Sequence, residues 1–141
     1  IKDELLRLVD EDTRAFDRVM AALGMPKSTD AEKSARSAAL AAANLGALQV
    51  PWQVMQTAFG AFELIRAMAE QGNPASASDA GVGSLCTRAA IRGAWLNVRT
   101  NAGGVKDKAA IEHIMKDGEK MDADAARLEA EILSIVERKF T

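Results

Sequence analysis

The sequence predicts an all-α protein, folded as a single bundle of about five helices in one domain that covers residues 1–141. Three observations support this prediction. Roughly a fifth of the residues are alanine, the strongest helix former. The chain holds only 3 prolines and 10 glycines, too few for the many turns of a β-sandwich or barrel. Apolar residues recur at steps of three and four over most of the length, as in amphipathic helices.

The first predicted helix covers residues 1–23. Its apolar residues lie along one stripe: Leu5, Leu8, Val9, Phe16, Val19, Met20 and Leu23. At 100° per residue, Asp12 lies about 20° from Leu5 and about 40° from Phe16, inside this stripe. The two acidic residues before it project elsewhere. The pattern therefore predicts that Asp12 is turned toward the core while its acidic neighbours face water.

A break at residues 24–27 separates this helix from a second helical segment. Thr29 with Glu32 three residues later is typical of a capping box and predicts the helix start. Pro51 interrupts the segment, where it either kinks one helix or occupies the first turn of a new one. Gly72 follows the last apolar residues, and we expect it to end the helix in the left-handed conformation.

A third helix is predicted from Ser78, as its N-cap, to about Asn101. Seven residues fall within about 40° of one line along it: Asp79, Gly83, Cys86, Ala90, Gly93, Asn97 and Asn101. Small residues allow another helix to approach closely, so this line predicts either a tight helix contact or a functional cleft. Asp79 and Asn97 would lie about 27 Å apart at 1.5 Å per residue. They can serve one elongated ligand or meet across an antiparallel dimer, but cannot bind one small substrate within a subunit.

The last predicted helix runs from about residue 106 to residue 140, after a glycine pair at 103–104. Its apolar residues recur at near-heptad spacing: Ile111, Ile114, Met115, Met121, Ala125, Leu128, Ile132, Ile135 and Val136. This spacing predicts a long helix packed along a neighbour. The sequence shows no internal repeat and no linker, which favours one bundle over two domains.

Charge and composition argue against several classes of protein. The chain has 18 Lys and Arg against 20 Asp and Glu, which gives a net charge of -2. A nucleic-acid-binding protein would normally carry an excess of basic residues. No uncharged apolar stretch reaches the roughly 18 residues that a membrane span needs, so we expect neither nucleic acid nor membrane as a partner. One histidine and one cysteine disfavour a zinc site. A single cysteine also fits a reducing compartment, and we expect a cytoplasmic location.

Several short stretches follow one another in a recognisable order along nearly the whole chain. They are Leu-Val-Asp-Glu-Asp at 8–12 with Ala15-Phe16, Met25-Pro26-Lys27 with Glu32-Lys33, Val50-Pro51, Gly72-Asn73, Ser78-Asp79, and Asn97-Val98 with Asn101. The ordered set resembles the cyclodeaminase domain of formiminotransferase-cyclodeaminase and its stand-alone relatives, including methenyltetrahydrofolate cyclohydrolases. Each piece alone is unspecific, so the order and spacing of the set carry the resemblance.

The resemblance implies an all-α fold that forms a homodimer, and an enzyme acting on one-carbon units carried by tetrahydrofolate. In the cyclohydrolase reaction, water adds to the methenyl carbon between two folate nitrogens, and the ring opens to formyltetrahydrofolate. In the cyclodeaminase reaction, the second folate nitrogen attacks a formimino carbon, the ring closes and ammonia leaves. Both need proton transfer and an oriented pterin. Neither needs a metal or a prosthetic group, so the tetrahydrofolate derivative is expected as substrate alone.

The resemblance also implies candidate site residues. Asp12 is the candidate general base on water, and Asp79 is the second candidate catalytic carboxylate. The candidate substrate-binding residues are Asn73, Ser78, Asn97 and Asn101. Relatives carry a Pro-Gly-Gly-Gly-Ser stretch ahead of the helix that begins this chain, and we expect the present domain to lack that N-terminal segment.

Structural alternatives stay open for these residues. Asp12 can make a polar contact to a neighbouring helix or a dimer partner, and Asp79 can simply favour the positive end of its helix. Asn97 and Asn101 can form interhelical hydrogen bonds, and Asn73 can be a turn residue that tolerates left-handed geometry. The competing class of function is a non-catalytic helical interaction module that keeps the fold.

Other residues with reactive or bulky side chains are expected to be structural. We expect Cys86 to be a packing residue, Arg88 to be a solvated surface charge and His113 to face solvent. Trp52 and Trp95 are expected in the core or at the dimer interface.

Overall fold

In a computed structural model, which describes residues 1–140, the chain is helical throughout, with no strand in that range. Its α-helices are α1 Lys2–Leu23, α2 Asp30–Phe59, α3 Ala61–Gln71, α4 Ala77–Ala102 and α5 Glu112–Glu137. Short 3₁₀ turns at Pro74–Ser76 and Ala109–Ile111 precede α4 and α5. Gly60 alone separates α2 from α3, so the bundle can also be counted as four helical segments, the second interrupted at that glycine. The all-α prediction is confirmed.

The helices pack in a row with α2 and α4 at its centre. Helix α1 packs on α2, α2 packs on α4, α4 packs on α5, and α3 covers part of both α4 and α5. The largest fully buried side chains of the main core are Leu48, Met55, Ile91, Ile111 and Ile132. A second, smaller core of Leu8, Ala15 and Val50 joins α1 to α2. None of the helices within residues 1–140 is long and apolar enough to cross a membrane.

The start of α2 has the predicted capping box. The Thr29 hydroxyl accepts a hydrogen bond from the Glu32 N–H at 3.2 Å, and the Glu32 carboxylate accepts one from the Thr29 N–H at 2.9 Å. Two of the unpaired N–H groups at the helix start are thereby satisfied. Pro51 lies inside α2 and does not begin a new helix, and the segment breaks later, at Gly60.

Three predicted helix ends differ from the structure. Gly72 is extended, with φ -72° and ψ 176°, and not left-handed; its Cβ would lie 2.4 Å from the Met68 carbonyl oxygen, so close approach requires the glycine. Helix α4 begins at Ala77, so Ser78 lies in the first turn and is not the N-cap. Helix α5 begins at Glu112 and not near residue 106, because Asp107 accepts a hydrogen bond from the Ala110 N–H and closes a separate turn.

The apolar stripe of α1 is only partly covered. The buried residues of α1 are Leu8, Ala15 and Ala22, spaced seven apart, because α1 packs mainly on one helix. Val9 and Phe16 are 64% and 62% exposed, and Asp12 is exposed with them. The prediction that Asp12 faces the core is therefore wrong for the described chain.

Candidate functional site

An open cleft of about 350 Å³ lies between α1, α2 and the C-terminal half of α4. Its lining residues are Asp12, Ala15, Phe16, Val19, Asn44, Ala47, Asn97, Thr100, Asn101 and Gly104. We call it the carboxamide cleft, after its three asparagines. It brings together three of the six predicted site residues, Asp12, Asn97 and Asn101.

A second depression of about 440 Å³ adjoins this cleft on the same side of the bundle. Most of its lining residues are apolar, namely Leu5, Leu8, Val9, Pro51, Val54, Ala90 and Ala94. The polar ones are Asp12, Thr13 and Asn97. We call it the apolar groove. Asp12 and Asn97 line both depressions, so these two polar side chains stand where a polar cleft meets an apolar surface.

Asp12 makes no side-chain hydrogen bond or ion pair within residues 1–140, so the contact to a neighbouring helix is not made there. Its neighbour Glu11 behaves differently, because it accepts a hydrogen bond from Arg18 at 2.7 Å. That bond, with the nearby positive charges, holds the pKa of Glu11 below its ordinary value. Asp12 thus lines both depressions, unlike Asp10 and Glu11, and its carboxylate remains available to a bound molecule.

Asn101 repairs a backbone defect created by Pro51. In an α-helix, the Ala47 carbonyl would accept a hydrogen bond from the N–H of residue 51, but proline has no N–H. The Asn101 side-chain amide donates to the Ala47 oxygen instead, at 2.7 Å. The interhelical alternative for Asn101 is confirmed for its nitrogen, while its side-chain oxygen has no hydrogen-bond partner within the described chain.

Asn44 is a cleft residue that sequence reasoning missed. Its side-chain amide donates to the Gly104 carbonyl at 2.9 Å, and a Cβ on Gly104 would lie only 3.1 Å from the Asn44 Cγ. The bond ties α2 to the residues after α4. No sequence pattern pairs these positions, which are 60 residues apart. For Asn101 the sequence did contain a signal, because Pro51 has no N–H and therefore leaves the Ala47 carbonyl without its usual helical donor.

The other three predicted site residues lie at the opposite end of α4. Asp79 is exposed in the first turn of the unbroken helix, about 27 Å from Asn97 at 1.5 Å per residue. Ser78 is exposed beside it. Asn73 accepts a hydrogen bond from the Ala75 N–H at 3.1 Å, which fits the turn alternative, although its φ of -58° is not left-handed. One subunit therefore holds the predicted site residues in two separate groups.

Two expectations about single residues on α4 are wrong. Cys86 is exposed and not a packing residue, because no neighbouring helix covers this part of the face of α4 within residues 1–140. Arg88 is not solvated: its side chain is only 18% exposed and bonds Asp122 of α5 at 2.7 Å. Trp95 is buried and His113 is exposed, as predicted.

The chain matches the protein family described as formiminotransferase-cyclodeaminase over residues 1–120. It is 38% identical over 139 residues to a methenyltetrahydrofolate cyclohydrolase from Methylorubrum extorquens, which covers 99% of this chain and 67% of that protein. It is 30% identical over 137 residues to a formimidoyltransferase-cyclodeaminase from Gallus gallus, which covers 97% of this chain and 25% of that protein.

The fold is shared with a solved relative. The crystal structure of a formiminotetrahydrofolate cyclodeaminase from Thermotoga maritima superposes with a TM-score of 0.82 at 23% sequence identity. The match covers 98% of this chain and 65% of that chain. The present chain thus spans about two thirds of the bacterial relatives and a quarter of the Gallus gallus protein.

Proposed function

Because the chain belongs to the formiminotransferase-cyclodeaminase family, we propose that it is a folate one-carbon enzyme that opens the methenyl bridge of methenyltetrahydrofolate by hydrolysis. The observation that carries this proposal is the unpaired carboxylate of Asp12 beside the unbonded carboxamide of Asn97. An unpaired base next to a polar cleft and an apolar groove suits hydrolysis of a flat heterocycle.

In the proposed mechanism, Asp12 accepts a proton from water as the water oxygen bonds to the methenyl carbon. The methenyl unit is an amidinium, so its positive charge is attracted to the Asp12 carboxylate. Cleavage of one carbon–nitrogen bond then leaves a formyl group on the other nitrogen, with the proton delivered to the released nitrogen. The chain needs no metal or prosthetic group for these steps.

The carboxamides of the cleft are proposed to orient the substrate. Asn97 has both a donor and an acceptor free, and Asn101 has its oxygen free, so together they match the mixed donor and acceptor edge of a pterin. The apolar groove supports the flat apolar part of the ligand. Asp79, Asn73 and Ser78 are proposed as the remaining site residues, although they lie outside the cleft of their own subunit.

The second candidate reaction is formiminotetrahydrofolate cyclodeamination. The favouring observation is the fold shared with the Thermotoga maritima cyclodeaminase over 98% of the chain. In that reaction a folate nitrogen attacks the formimino carbon and the ring closes; Asp12 would accept the proton that the attacking nitrogen loses and give it to the nitrogen that leaves as ammonia. The two reactions differ in product, which makes them separable by assay.

We further propose that the enzyme is a homodimer located in the cytoplasm. Exposed apolar side chains on α1, α3 and α4 support the dimer, since monomers rarely expose large apolar patches. The single, unpaired cysteine fits a reducing compartment.

The test uses the full-length protein with each substrate in turn. Loss of the near-ultraviolet absorbance of methenyltetrahydrofolate reports hydrolysis, and ammonia release from formiminotetrahydrofolate reports cyclodeamination. We expect Asp12→Asn to lower kcat/KM about a hundredfold to ten-thousandfold, because the base is lost while the shape is kept. Asp10→Asn, an exposed neighbour outside both depressions, should retain activity.

Two outcomes would change the proposal. Retained activity in Asp12→Asn would remove Asp12 as the base. A wild-type protein that accelerates neither reaction over buffer would favour the non-catalytic interaction module.

A further inference from the structure

Two of the three asparagines of the carboxamide cleft are held so that their side-chain oxygens stay free. The Asn44 amide nitrogen donates to the Gly104 carbonyl at 2.9 Å, and the Asn101 amide nitrogen donates to the Ala47 carbonyl at 2.7 Å. A carboxamide beside a carbonyl must present its nitrogen to it, because two oxygens would repel each other. The backbone therefore fixes which end of each carboxamide remains unbonded, and that end is the acceptor oxygen.

The unbonded oxygens of Asn44 and Asn101 are within reach of solvent. Both residues are half-buried and line the cleft. Among the residues of 1–140 that are not exposed, Ser84 Oγ is the only fully enclosed side-chain polar atom without a hydrogen-bond partner, so neither asparagine oxygen is enclosed. An accessible acceptor that its own amide group holds in place is suited to a donor of a bound molecule.

The position of this acceptor pair gives the site a direction. Asn44 and Asn101 line the carboxamide cleft but not the apolar groove, whereas Asp12 and Asn97 line both depressions. A molecule that spans the two depressions would therefore meet the acceptor pair first, then Asp12, and then the apolar surface.

Methenyltetrahydrofolate has three parts in the same order. At one end, the pyrimidine ring presents two neighbouring donors, its exocyclic amino group and a ring N–H. The cationic methenyl bridge is in the middle, and the benzoyl ring follows it. Two neighbouring donors require two acceptors, the cation is attracted to a carboxylate, and the benzoyl ring is favoured on an apolar surface.

We propose that Asn44 and Asn101 recognise the donor edge of the substrate's pyrimidine ring, with Asn44 as a specificity-determining residue. The substrate then lies with this edge in the carboxamide cleft, its methenyl bridge beside Asp12 and its benzoyl ring on the apolar groove. The identity of the ligand rests on the proposed function, whereas the recognition of two neighbouring N–H donors rests on the two fixed oxygens.

Gly104 keeps the Asn44 carboxamide in position. A Cβ at position 104 would lie 3.1 Å from the Asn44 Cγ and 3.3 Å from its Oδ1, so a side chain there would push the carboxamide away. No glycine within residues 1–140 has a positive φ, so alanine at position 104 would disturb this contact without straining the backbone. Gly104→Ala thus displaces the acceptor without removing it.

The first test uses two small molecules and needs no enzyme activity. Isocytosine carries both donors of the pyrimidine edge, and 4-pyrimidinone lacks the amino group. In a nuclear magnetic resonance titration of the full chain, isocytosine should shift the side-chain amide signals of Asn44 and Asn101 saturably. It should bind about three- to tenfold more tightly than 4-pyrimidinone, as expected for one neutral hydrogen bond.

Asn73, before the opposite end of α4, supplies the internal control, because its side-chain amide signal should not move. Equal affinity for the two compounds would overturn the proposal. Absence of a saturable shift, or an equally large shift at Asn73, would overturn it as well.

The second test asks whether Asn44 carries the preference for isocytosine. Asn44→Leu should abolish the preference, whereas a merely structural loss of the bond to Gly104 would weaken the binding of both compounds equally. Gly104→Ala should reduce the preference and decides the question if Asn44→Leu does not fold. Gln53→Leu is the matched control, since Gln53 is exposed on α2 outside both depressions, and it should keep the preference. A preference retained in Asn44→Leu, or in Gly104→Ala if only that variant folds, would overturn the role of Asn44.

The third test is the kinetics with methenyltetrahydrofolate. Asn44→Leu should raise KM about three- to tenfold and leave kcat within about twofold, because the pyrimidine edge lies away from the reacting carbon. A lowered kcat with unchanged KM would contradict the orientation. If the wild type accelerates no folate reaction, the proposed function fails, while the isocytosine titration still decides the donor recognition. If the wild type is active but shows no preference for isocytosine, only the present inference fails.

Discussion

The ring of Trp95 leaves no space for a side chain at Gly118 of α5. A Cβ at position 118 would lie 2.4 Å from Trp95 Cζ3 and 2.8 Å from Cε3. The indole is only 5% exposed and is surrounded by the main core, so it cannot move aside easily. A glycine inside a helix costs about 1 kcal/mol relative to alanine, and here the close approach of α4 to α5 explains its presence.

We expect Gly118→Ala to lower the free energy of unfolding by about 1–3 kcal/mol, because the added methyl group overpacks the contact with Trp95. Urea unfolding followed by tryptophan fluorescence measures the change. Gly46→Ala is the matched control, since nothing lies within 4 Å of its missing Cβ, and it should be neutral or stabilising by up to about 1 kcal/mol. Equal destabilisation by both substitutions would contradict the packing explanation.

At the scale of an element, the capping box of α2 makes the helix start sensitive to acid. Hydrogen bonds from the Thr29 and Ser28 N–H groups lower the pKa of Glu32 from its ordinary value of 4.5. A carboxylate whose pKa is lower in the folded state than in the unfolded state stabilises the native state at pH values above its unfolded-state pKa. That contribution is lost as the pH falls through the lowered value.

We therefore expect Glu32→Gln to destabilise the protein above pH 4.5 and to weaken the loss of stability on acidification. The measurement is the urea midpoint on either side of that pH. Glu119→Gln is the control, because Glu119 is an exposed glutamate of α5 outside any capping box. The explanation fails if Glu32→Gln and Glu119→Gln change the acid response equally.

The start of α2 could be predicted because a capping box lies within four consecutive residues. The starts of α4 and α5 were misplaced for the opposite reason. Each follows a 3₁₀ turn whose own hydrogen bonds, such as that from Ala110 to Asp107, compete with the helix. Small differences in free energy decide between the 3₁₀ turn and the helix, and the spacing of residues in the sequence does not predict them.

At the scale of the whole molecule, an ionic cluster fastens α4 to α5. Arg88 bonds Asp122 at 2.7 Å and lies 3.8 Å from Glu129, and Arg92 bonds the other oxygen of Asp122. The Asp122 side chain is 13% exposed and that of Arg88 18%. Removing Asp122 therefore leaves the poorly solvated guanidinium of Arg88 with only the more distant carboxylate of Glu129.

We expect Asp122→Asn to destabilise the fold by about 1.5–3 kcal/mol, the range for hydrogen bonds to charged groups. Asp124→Asn, which removes an ion pair with the exposed Arg127, should cost less than about 1 kcal/mol. Urea unfolding of both variants measures the difference. If the two substitutions lowered the free energy of unfolding equally, the ionic cluster would contribute no more to stability than an exposed ion pair does.

The amino-acid sequence by itself determined the helices of this protein. Alanine content, apolar spacing and the Thr29 capping box act over a few neighbouring residues, so the helices could be predicted from the sequence. The ordered motifs also identified the family, because a family match depends on residue order.

Only the tertiary structure decided which helix faces are covered and which site residues meet. The stripes of α1 and α4 are periodic in the sequence, but burial depends on the helix packed against them, and here large parts of both stay exposed. Asp12 lines the same cleft as Asn97 and Asn101 only because α1 and α4 pack on the same helix, α2. The bond from Asn101 to Ala47 joins residues 54 positions apart, a distance over which residue spacing carries no information about contact.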